Sequence, residues 1–118
     1  GYIPNQSADN RKVEINMLTS KFFNIGKVVV THGIDEAMKE NDRFAAEVNL
    51  SLQRYAVKDW GCLDDEDKQV NEDALKYPDD LYLLAAYETC KGKIWIITNR
   101  ISENAGDNAT TVCFPSER

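Results

Sequence analysis

Three kinds of side chain in this sequence have the chemistry of functional sites: a single histidine, three cysteines and a concentrated run of acids. His32 follows a β-branched segment and precedes Gly33, a position where loops that carry active-site residues often begin. No neighbouring hydroxyl or thiol forms a recognisable nucleophile–base motif with it. We therefore interpret His32 as a strand-end histidine that is hydrogen-bonded to backbone, and we predict no catalytic residue in the chain.

The three cysteines predict neither a metal site nor a bound cofactor. Cys62, Cys90 and Cys113 are odd in number and widely spaced, without a CxxC pair. One histidine cannot complete a zinc ligand set with cysteines at this spacing. The pattern indicates reduced thiols in a cytoplasmic protein, two of them on strands.

The run of acids is the most unusual local feature. Such carboxylates could bind a divalent cation or imitate a row of phosphates, but the central glycine and alternating ligands of an EF-hand are missing. Acids in a first helical turn also stabilise a helix through its dipole, and Asp64 is a good N-cap. We predict a solvated helix and expect a protein partner, if there is one, to bind its acidic face. That face consists of Asp64, Asp65, Glu66, Asp67, Glu72 and Asp73.

Two tryptophans are candidates for an interface. Trp60 lies in an Asp-Trp-Gly segment between two predicted helices, where a tryptophan usually anchors the corner by burial. If exposed, it would be an interface hot spot. Trp95 alternates with Ile94 and Ile96 on a strand, so the two faces of that strand are both apolar. If helices cover only one face of the sheet, the other face meets a partner or a second subunit.

The elements predict one α+β domain. The 118 residues suffice for one core, and we assign 1–22 to a polar N-terminal extension and 23–118 to the domain. Strands are predicted over 27–32, 81–89, 93–99 and 110–114, and helices over 34–40, about 42–57 and 64–76. In this β-α-α-α-β-β-β order, two to three helices pack on an antiparallel sheet of about four strands.

Apolar spacing supports these elements. Phe44, Val48, Leu52 and Tyr55 form a single stripe on the second helix. A thin inward face of Val70, Ala74 and Leu75 is predicted for the third helix. The segment 81–89 is apolar on both faces, which is typical of a central strand, and Gly92 provides the positive φ of a tight hairpin.

Several short motifs carry a family resemblance over 23–118. They are Gly26-Lys27-Val28-Val29-Val30-Thr31, Asp59-Trp60-Gly61, Glu66-Asp67 with Asn71-Glu72-Asp73-Ala74, Lys93-Ile94-Trp95-Ile96-Ile97-Thr98, Thr110-Thr111 and Phe114-Pro115. In these motifs the chain resembles the "plasmid-related" family of short bacterial proteins found on plasmids, integrative elements and prophages of Firmicutes. The resemblance implies a mobile-element context and no particular chemistry. The chain departs from the pattern in a longer loop before Thr110 and in its ending Ser116-Glu117-Arg118, where a tyrosine commonly follows the acid.

Three functions are compatible with these features. The leading hypothesis is a non-catalytic accessory protein of a mobile element, an inhibitor or regulator, including one directed against host defence, that binds another protein. The order of strands and helices also resembles that of RelE-type mRNA interferase toxins, but a net charge of −6 is opposite to what an RNA-binding sheet needs. A nucleic-acid-binding regulator is disfavoured by the same charge and by the absence of a helix-turn-helix sequence. An exposed sheet face would also allow the chain to form a homodimer.

Overall fold

The computed structural model describes residues 12–15, 18–104 and 106–118. Within these ranges, no helix combines the length and the apolar composition that crossing a membrane requires. Much of the predicted N-terminal extension, residues 1–11 and 16–17, lies outside the described residues.

In the described ranges three α-helices form, each with a capping side chain at its start and a face that contacts the rest of the fold. They are α1 (His32–Glu40), α2 (Asp42–Ala56) and α3 (Asp65–Ala74). The Asn41 side chain accepts a hydrogen bond from the Phe44 N–H at 3.0 Å and so caps α2. The predicted stripe of α2 is confirmed, because Phe44, Val48, Leu52 and Tyr55 are all buried.

Among the residues that the structure describes, five strands form one sheet in the order β1-β2-β5-β4-β3. They are β1 (Lys12–Glu14), β2 (Lys27–Thr31), β3 (Tyr82–Thr89), β4 (Gly92–Arg100) and β5 (Asn108–Cys113). The α+β class is confirmed, but the sheet is mixed rather than antiparallel, since β2 and β5 run parallel. The three helices return the chain so that β3 runs in the direction of β2. Because β3, β4 and β5 then alternate in direction, β5 is parallel to β2.

Both ends of the strand order differ from the sequence prediction. β1 pairs antiparallel with β2, so the sheet includes part of the segment assigned to a polar extension. β3, whose two apolar faces predicted a central strand, lies at the opposite edge. Its outer edge is covered by other parts of the chain, which gives an edge strand the environment of an internal one.

The core lies between the helices and one face of the sheet. Val28, Val30, Leu83, Ala85, Tyr87, Ile94, Ile96 and Val112 supply the sheet side of this core. A chain of hydroxyl groups crosses it: the Tyr55 O–H donates to Thr98 at 2.7 Å, and Thr98 and Thr110 are joined at 2.6 Å. Thr110 in turn donates to the Ile25 carbonyl at 2.7 Å. Burial raises the pKa of Tyr55, so the phenol stays a hydrogen-bond donor.

Gly61 and Gly92 provide a matched test of how closely the chain approaches β3. Both residues have positive φ, but a Cβ on Gly61 would lie 1.9 Å from the Ala86 carbonyl oxygen, whereas a Cβ on Gly92 would meet nothing within 4 Å. We expect Gly61→Ala to lower the free energy of unfolding by about 3 kcal/mol or more. Gly92→Ala should cost only about 1 kcal/mol, the strain of a left-handed alanine. Urea unfolding measures both values, and equal losses would contradict the close approach at Gly61.

Candidate functional site

The corner between α2 and α3 is held by Trp60. The Trp60 side chain is only 3% exposed and packs edge-on against Tyr55, with ring centroids 5.5 Å apart. Its indole N–H donates to Glu72 Oε2 on α3 at 2.8 Å. Trp60 is therefore an anchor of the corner, and this burial removes it from the interface candidates.

Asp59 fixes the backbone of the same corner. Its carboxylate accepts two hydrogen bonds from Arg54, at 2.7 and 3.2 Å, and a third from the Gly61 N–H at 3.1 Å. The hydrogen bonds from Arg54 lower the pKa of Asp59 below its usual value. The Asp59 carbonyl also accepts the Tyr87 hydroxyl at 2.7 Å, so the corner is tied to β3.

The outer edge of β3 is closed by hydrogen bonds from this corner and from α3. Gly61 forms an isolated parallel bridge with Ala86, in which the Cys62 N–H donates to the Ala86 carbonyl at 2.8 Å. Two residues along the strand, the Asn71 side chain donates to the Leu84 carbonyl at 2.9 Å and accepts from the Leu84 N–H at 3.2 Å. An additional strand therefore cannot pair with β3 at Leu84 or Ala86.

Asn71 is the buried residue of α3, and the predicted inward face was partly wrong. Ala74 and Leu75 do pack partly buried against the core, but Val70 is 62% exposed. The reason is that α3 docks against the polar edge of β3, where an amide can satisfy two backbone groups and valine cannot. As a result, Val70 is presented to solvent beside the acids.

The six acids predicted as one binding face divide into two groups. Asp64 caps α3 by accepting the Asp67 N–H at 2.8 Å, and exposed Asp65, Glu66 and Asp67 form the first turn without an ion pair among the described residues. By contrast, Glu72 binds Trp60 and Lys58, and Asp73 lies 3.5 Å from Lys76. Of these six acids, only the first-turn group has carboxylates without a cation from the described part of the chain. In the part of the chain that the structure describes, no three potential ligands are grouped as a metal would require.

The side of the sheet away from the helices forms a second surface, which we call the open face. It carries Val29, Thr31, Tyr82, Leu84, Ala86, Trp95, Ile97, Asn99, Thr111 and Cys113, which alternate with the core residues and pair across the strands. Tyr82 is 46% exposed, and Leu84 and Trp95 are partly exposed. Trp95 lies opposite Ala86 and therefore diagonal to Leu84, within reach of a large side chain. We call Tyr82, Leu84 and Trp95 the exposed strip.

A short segment, residues 115–118, folds over the other part of the open face, and we call it the strap. The Glu117 carboxylate accepts the Gly33 N–H at 3.1 Å and the Thr31 hydroxyl at 2.5 Å, which fixes the strap at the start of α1. Arg118 reaches across the sheet to donate to the Tyr82 hydroxyl at 2.9 Å. The strap encloses a cavity of about 120 Å³ with Ile97, Asn99, Thr111 and Cys113 in its wall. The strap thus covers the β5 side and contacts the exposed strip at the Tyr82 hydroxyl.

The histidine and the three cysteines do not lie together in one site. His32 is the first residue of α1 rather than the end of a strand, and its Nε2 lies 3.3 Å from Glu36 Oε1. Cys113 alone lies on a strand, so the expectation of two was wrong: Cys62 follows the corner and Cys90 lies in the hairpin turn. A hydrogen bond with Glu47 raises the pKa of Cys90, and burial raises the pKa of Cys113. Both thiols are thereby kept protonated and weakly nucleophilic at neutral pH.

Comparison with models of protein families, with curated proteins and with solved structures gives no significant match to this chain. The resemblance to the plasmid-related family therefore depends on the sequence motifs alone. Sequence reasoning found Trp95 and the acids but missed Asn71, Tyr82 and the strap. The sequence signal that could have indicated Asn71 was an asparagine within an otherwise acidic helix.

Asn71→Ala tests whether α3 is held by the edge of β3. The change leaves the N–H and carbonyl of Leu84 without partners, so we expect the free energy of unfolding to fall by roughly 2 kcal/mol. Amide hydrogen exchange should become faster at Leu84 and throughout α3. Asn49→Ala, at an exposed position of α2, is the control and should change stability by less than about 0.5 kcal/mol. Unchanged protection of the Leu84 amide would contradict this docking.

Asp59→Asn tests the charged corner through its pH dependence. The folded carboxyl has a pKa below the unfolded value of about 3.9, so the native state binds fewer protons than the unfolded chain. The stabilisation is present above about pH 4 and is lost as the pH falls through the folded pKa. Melting temperatures between about pH 6 and pH 2 should therefore fall less in Asp59→Asn than in the wild type. Asp80→Asn, which alters an exposed aspartate, should keep the wild-type slope.

Proposed function

We propose that this chain is a non-catalytic protein-interaction domain that binds its partner through the exposed strip. The observation that carries the proposal is the partial exposure of Tyr82, Leu84 and Trp95 on a sheet face that the helices do not cover. Tyrosine and tryptophan are the residues most enriched among interface hot spots. β4 pairs with a strand on each side, and the outer edge of β3 is hydrogen-bonded at Leu84 and Ala86. The backbone of these strands is therefore already ordered, so binding costs little conformational entropy.

The first-turn acids of α3 provide a second, negatively charged surface. Val70 lies about 200° around the helix axis from Glu72, whose side chain points toward Trp60 and the core. Val70 is therefore on the side of α3 away from Trp60, and it is exposed together with the acids of the first turn. Carboxylates without an ion pair among the described residues support recognition of a protein with a basic surface.

The biological setting belongs to the same proposal. The resemblance to the plasmid-related family supports an accessory protein of a mobile element, acting in the cytoplasm as an inhibitor or regulator. The three cysteines are free thiols, which agrees with a reducing compartment. The mRNA interferase and nucleic-acid regulator alternatives receive less support, because a net charge of −6 disfavours binding to phosphates.

Paired affinity capture from the bacterial host tests the proposal. Wild-type protein and the Leu50→Ala control, which alters an exposed apolar residue of α2, should retain the same protein partner. The double variant Tyr82→Ala/Trp95→Ala should lose it, with a loss of affinity of at least about tenfold for the purified pair. Circular dichroism and thermal melting confirm that the variants are folded. If the double variant retains every protein that the wild type retains, the proposed function is wrong.

A further inference from the structure

The cavity beneath the strap, which we call the strap cavity, has a mostly polar wall. Ile97 is the one purely aliphatic side chain among its described lining residues, and the others carry hydroxyl, amide, thiol or charged groups. Its volume of about 120 Å³ has room for roughly four water molecules at about 30 Å³ each. Sites for drug-sized ligands are larger, roughly 300–1,000 Å³. The strap cavity therefore suits a ligand of only a few polar atoms.

Two cations reach the strap cavity from different parts of the fold. Lys12 extends from the edge strand β1, where it lies opposite Thr31, and Arg118 extends from the strap. Arg118 is held by its hydrogen bond to the Tyr82 hydroxyl, which uses one of the five N–H groups of its guanidinium. Within the described residues, neither cation has a carboxylate oxygen within 4.0 Å. Both can therefore bind an anion without breaking an ion pair.

The carboxylate in the wall is already hydrogen-bonded to other groups. Glu117 Oε1 accepts from the Thr31 hydroxyl and from the Phe114 N–H, and Oε2 accepts from the Gly33 N–H at 3.1 Å. These donors fix Glu117 at the start of α1 rather than beside either cation. Two cations and one carboxylate leave the described wall with a formal charge of +1. The wall is thus locally positive in a chain whose net charge is −6.

Neutral donors and a thiol complete the wall. Asn99 provides an amide and Thr111 a hydroxyl, and neither residue is fully buried. Burial raises the pKa of the Cys113 thiol, as does Glu117, whereas Arg118 and Lys12 act in the opposite direction. Both cations therefore lie within electrostatic reach of the same point in the wall. The donors and cations together form the surroundings that an anion requires.

We propose that the strap cavity binds a small tetrahedral oxyanion, either free phosphate or the phosphate group of a small phosphorylated molecule. The oxygens of such an anion point in four directions, so it can contact Lys12, Arg118 and the Thr111 hydroxyl at once. A planar carboxylate has two oxygens in one plane and reaches fewer of these donors. The inference goes beyond the proposed function, because none of the proposed anion-binding residues belongs to the exposed strip.

Net charge and local charge act over different distances. A net charge of −6 disfavours binding to a long row of phosphates such as a nucleic acid. Its field is largely screened beyond about 10 Å at 0.1 M salt, whereas partly buried groups in contact are screened much less. A single oxyanion between two cations is therefore compatible with an acidic chain. Because the bound anion would connect β1 to the strap, it should also raise the melting temperature.

Titration of the isotope-labelled full chain with sodium phosphate, followed by NMR, tests the proposal; sodium chloride holds the ionic strength constant. We expect saturable shifts of the backbone amide signals of Asn99, Thr111 and Cys113. Sulfate has the same shape and should compete, whereas acetate should bind at least about tenfold more weakly. Glycerol phosphate distinguishes the two sources. Binding tighter than that of phosphate would indicate a phosphorylated molecule, and weaker binding would indicate the free oxyanion.

Single-residue variants locate the anion. Lys12→Gln and Arg118→Gln should each weaken phosphate binding at least about tenfold, because each removes a charge-assisted hydrogen bond. Lys93→Gln is the matched control: it removes one positive charge from the same sheet face at a residue that does not line the cavity. It should change the affinity by less than about twofold. Thr111→Val should weaken binding and Thr111→Ser should not, which isolates the contribution of the hydroxyl.

Two results would overturn the proposal. One is a set of amide shifts that grow linearly with phosphate and are equalled by those with chloride, which would show that the cavity holds no anion site. The other is equal weakening by Lys12→Gln, Arg118→Gln and Lys93→Gln, which would show that overall charge rather than the cavity governs binding. These three side chains are exposed, so the variants should remain folded, which circular dichroism checks. Neither result bears on the exposed strip, whose role is tested separately by partner capture.

Discussion

The hydrogen bonds along the outer edge of β3 are the constraint on which the rest of this surface depends. Gly61 and Cys62 pair with Ala86, and the Asn71 amide pairs with both backbone groups of Leu84. These contacts satisfy polar groups that would otherwise be unpaired at a sheet edge. They also fix the position of α3 without requiring it to bury an apolar face. An acidic, largely exposed helix can therefore be held rigidly beside the sheet.

Local periodicity made the helices and the hairpin predictable from sequence. The stripe of α2 and the alternating β3–β4 segment each follow from neighbours within one element, so Tyr55 was placed correctly on the apolar face of α2 and Ile96 on a strand. The parallel pairing of β2 with β5 depends on how many times the chain crosses the sheet, which no local pattern encodes. β1 was missed for a related reason, since three residues at an edge carry almost no periodic signal.

The candidate site was predictable in composition and not in geometry. The sequence indicated the acids and Trp95, because unusual charge and two-faced apolar strands are visible without a structure. It assigned Val70 inward, because apolar residues are normally the buried ones, whereas the edge of β3 required an amide at Asn71. The strap depends on Glu117 reaching the start of α1, a contact across 84 residues from Gly33 that only the folded chain brings together.

The strap explains why the open face is covered on its β5 side and partly exposed at β3 and β4. Glu117 accepts hydrogen bonds from Gly33, Thr31 and the Phe114 N–H, so its carboxylate serves as a cap for α1 and for the strap itself. Phe114 stacks on Phe44 in the core at 5.7 Å, which anchors the chain on the opposite side of the sheet immediately before the strap. With both ends of this short connection fixed, the strap shelters the β5 side, while nothing comparable covers β3 and β4 in the described residues. The exposed strip is thus the part of the open face that the strap does not cover. Burial of its aromatic side chains, Tyr82 and Trp95, would contribute most of the free energy of binding a partner.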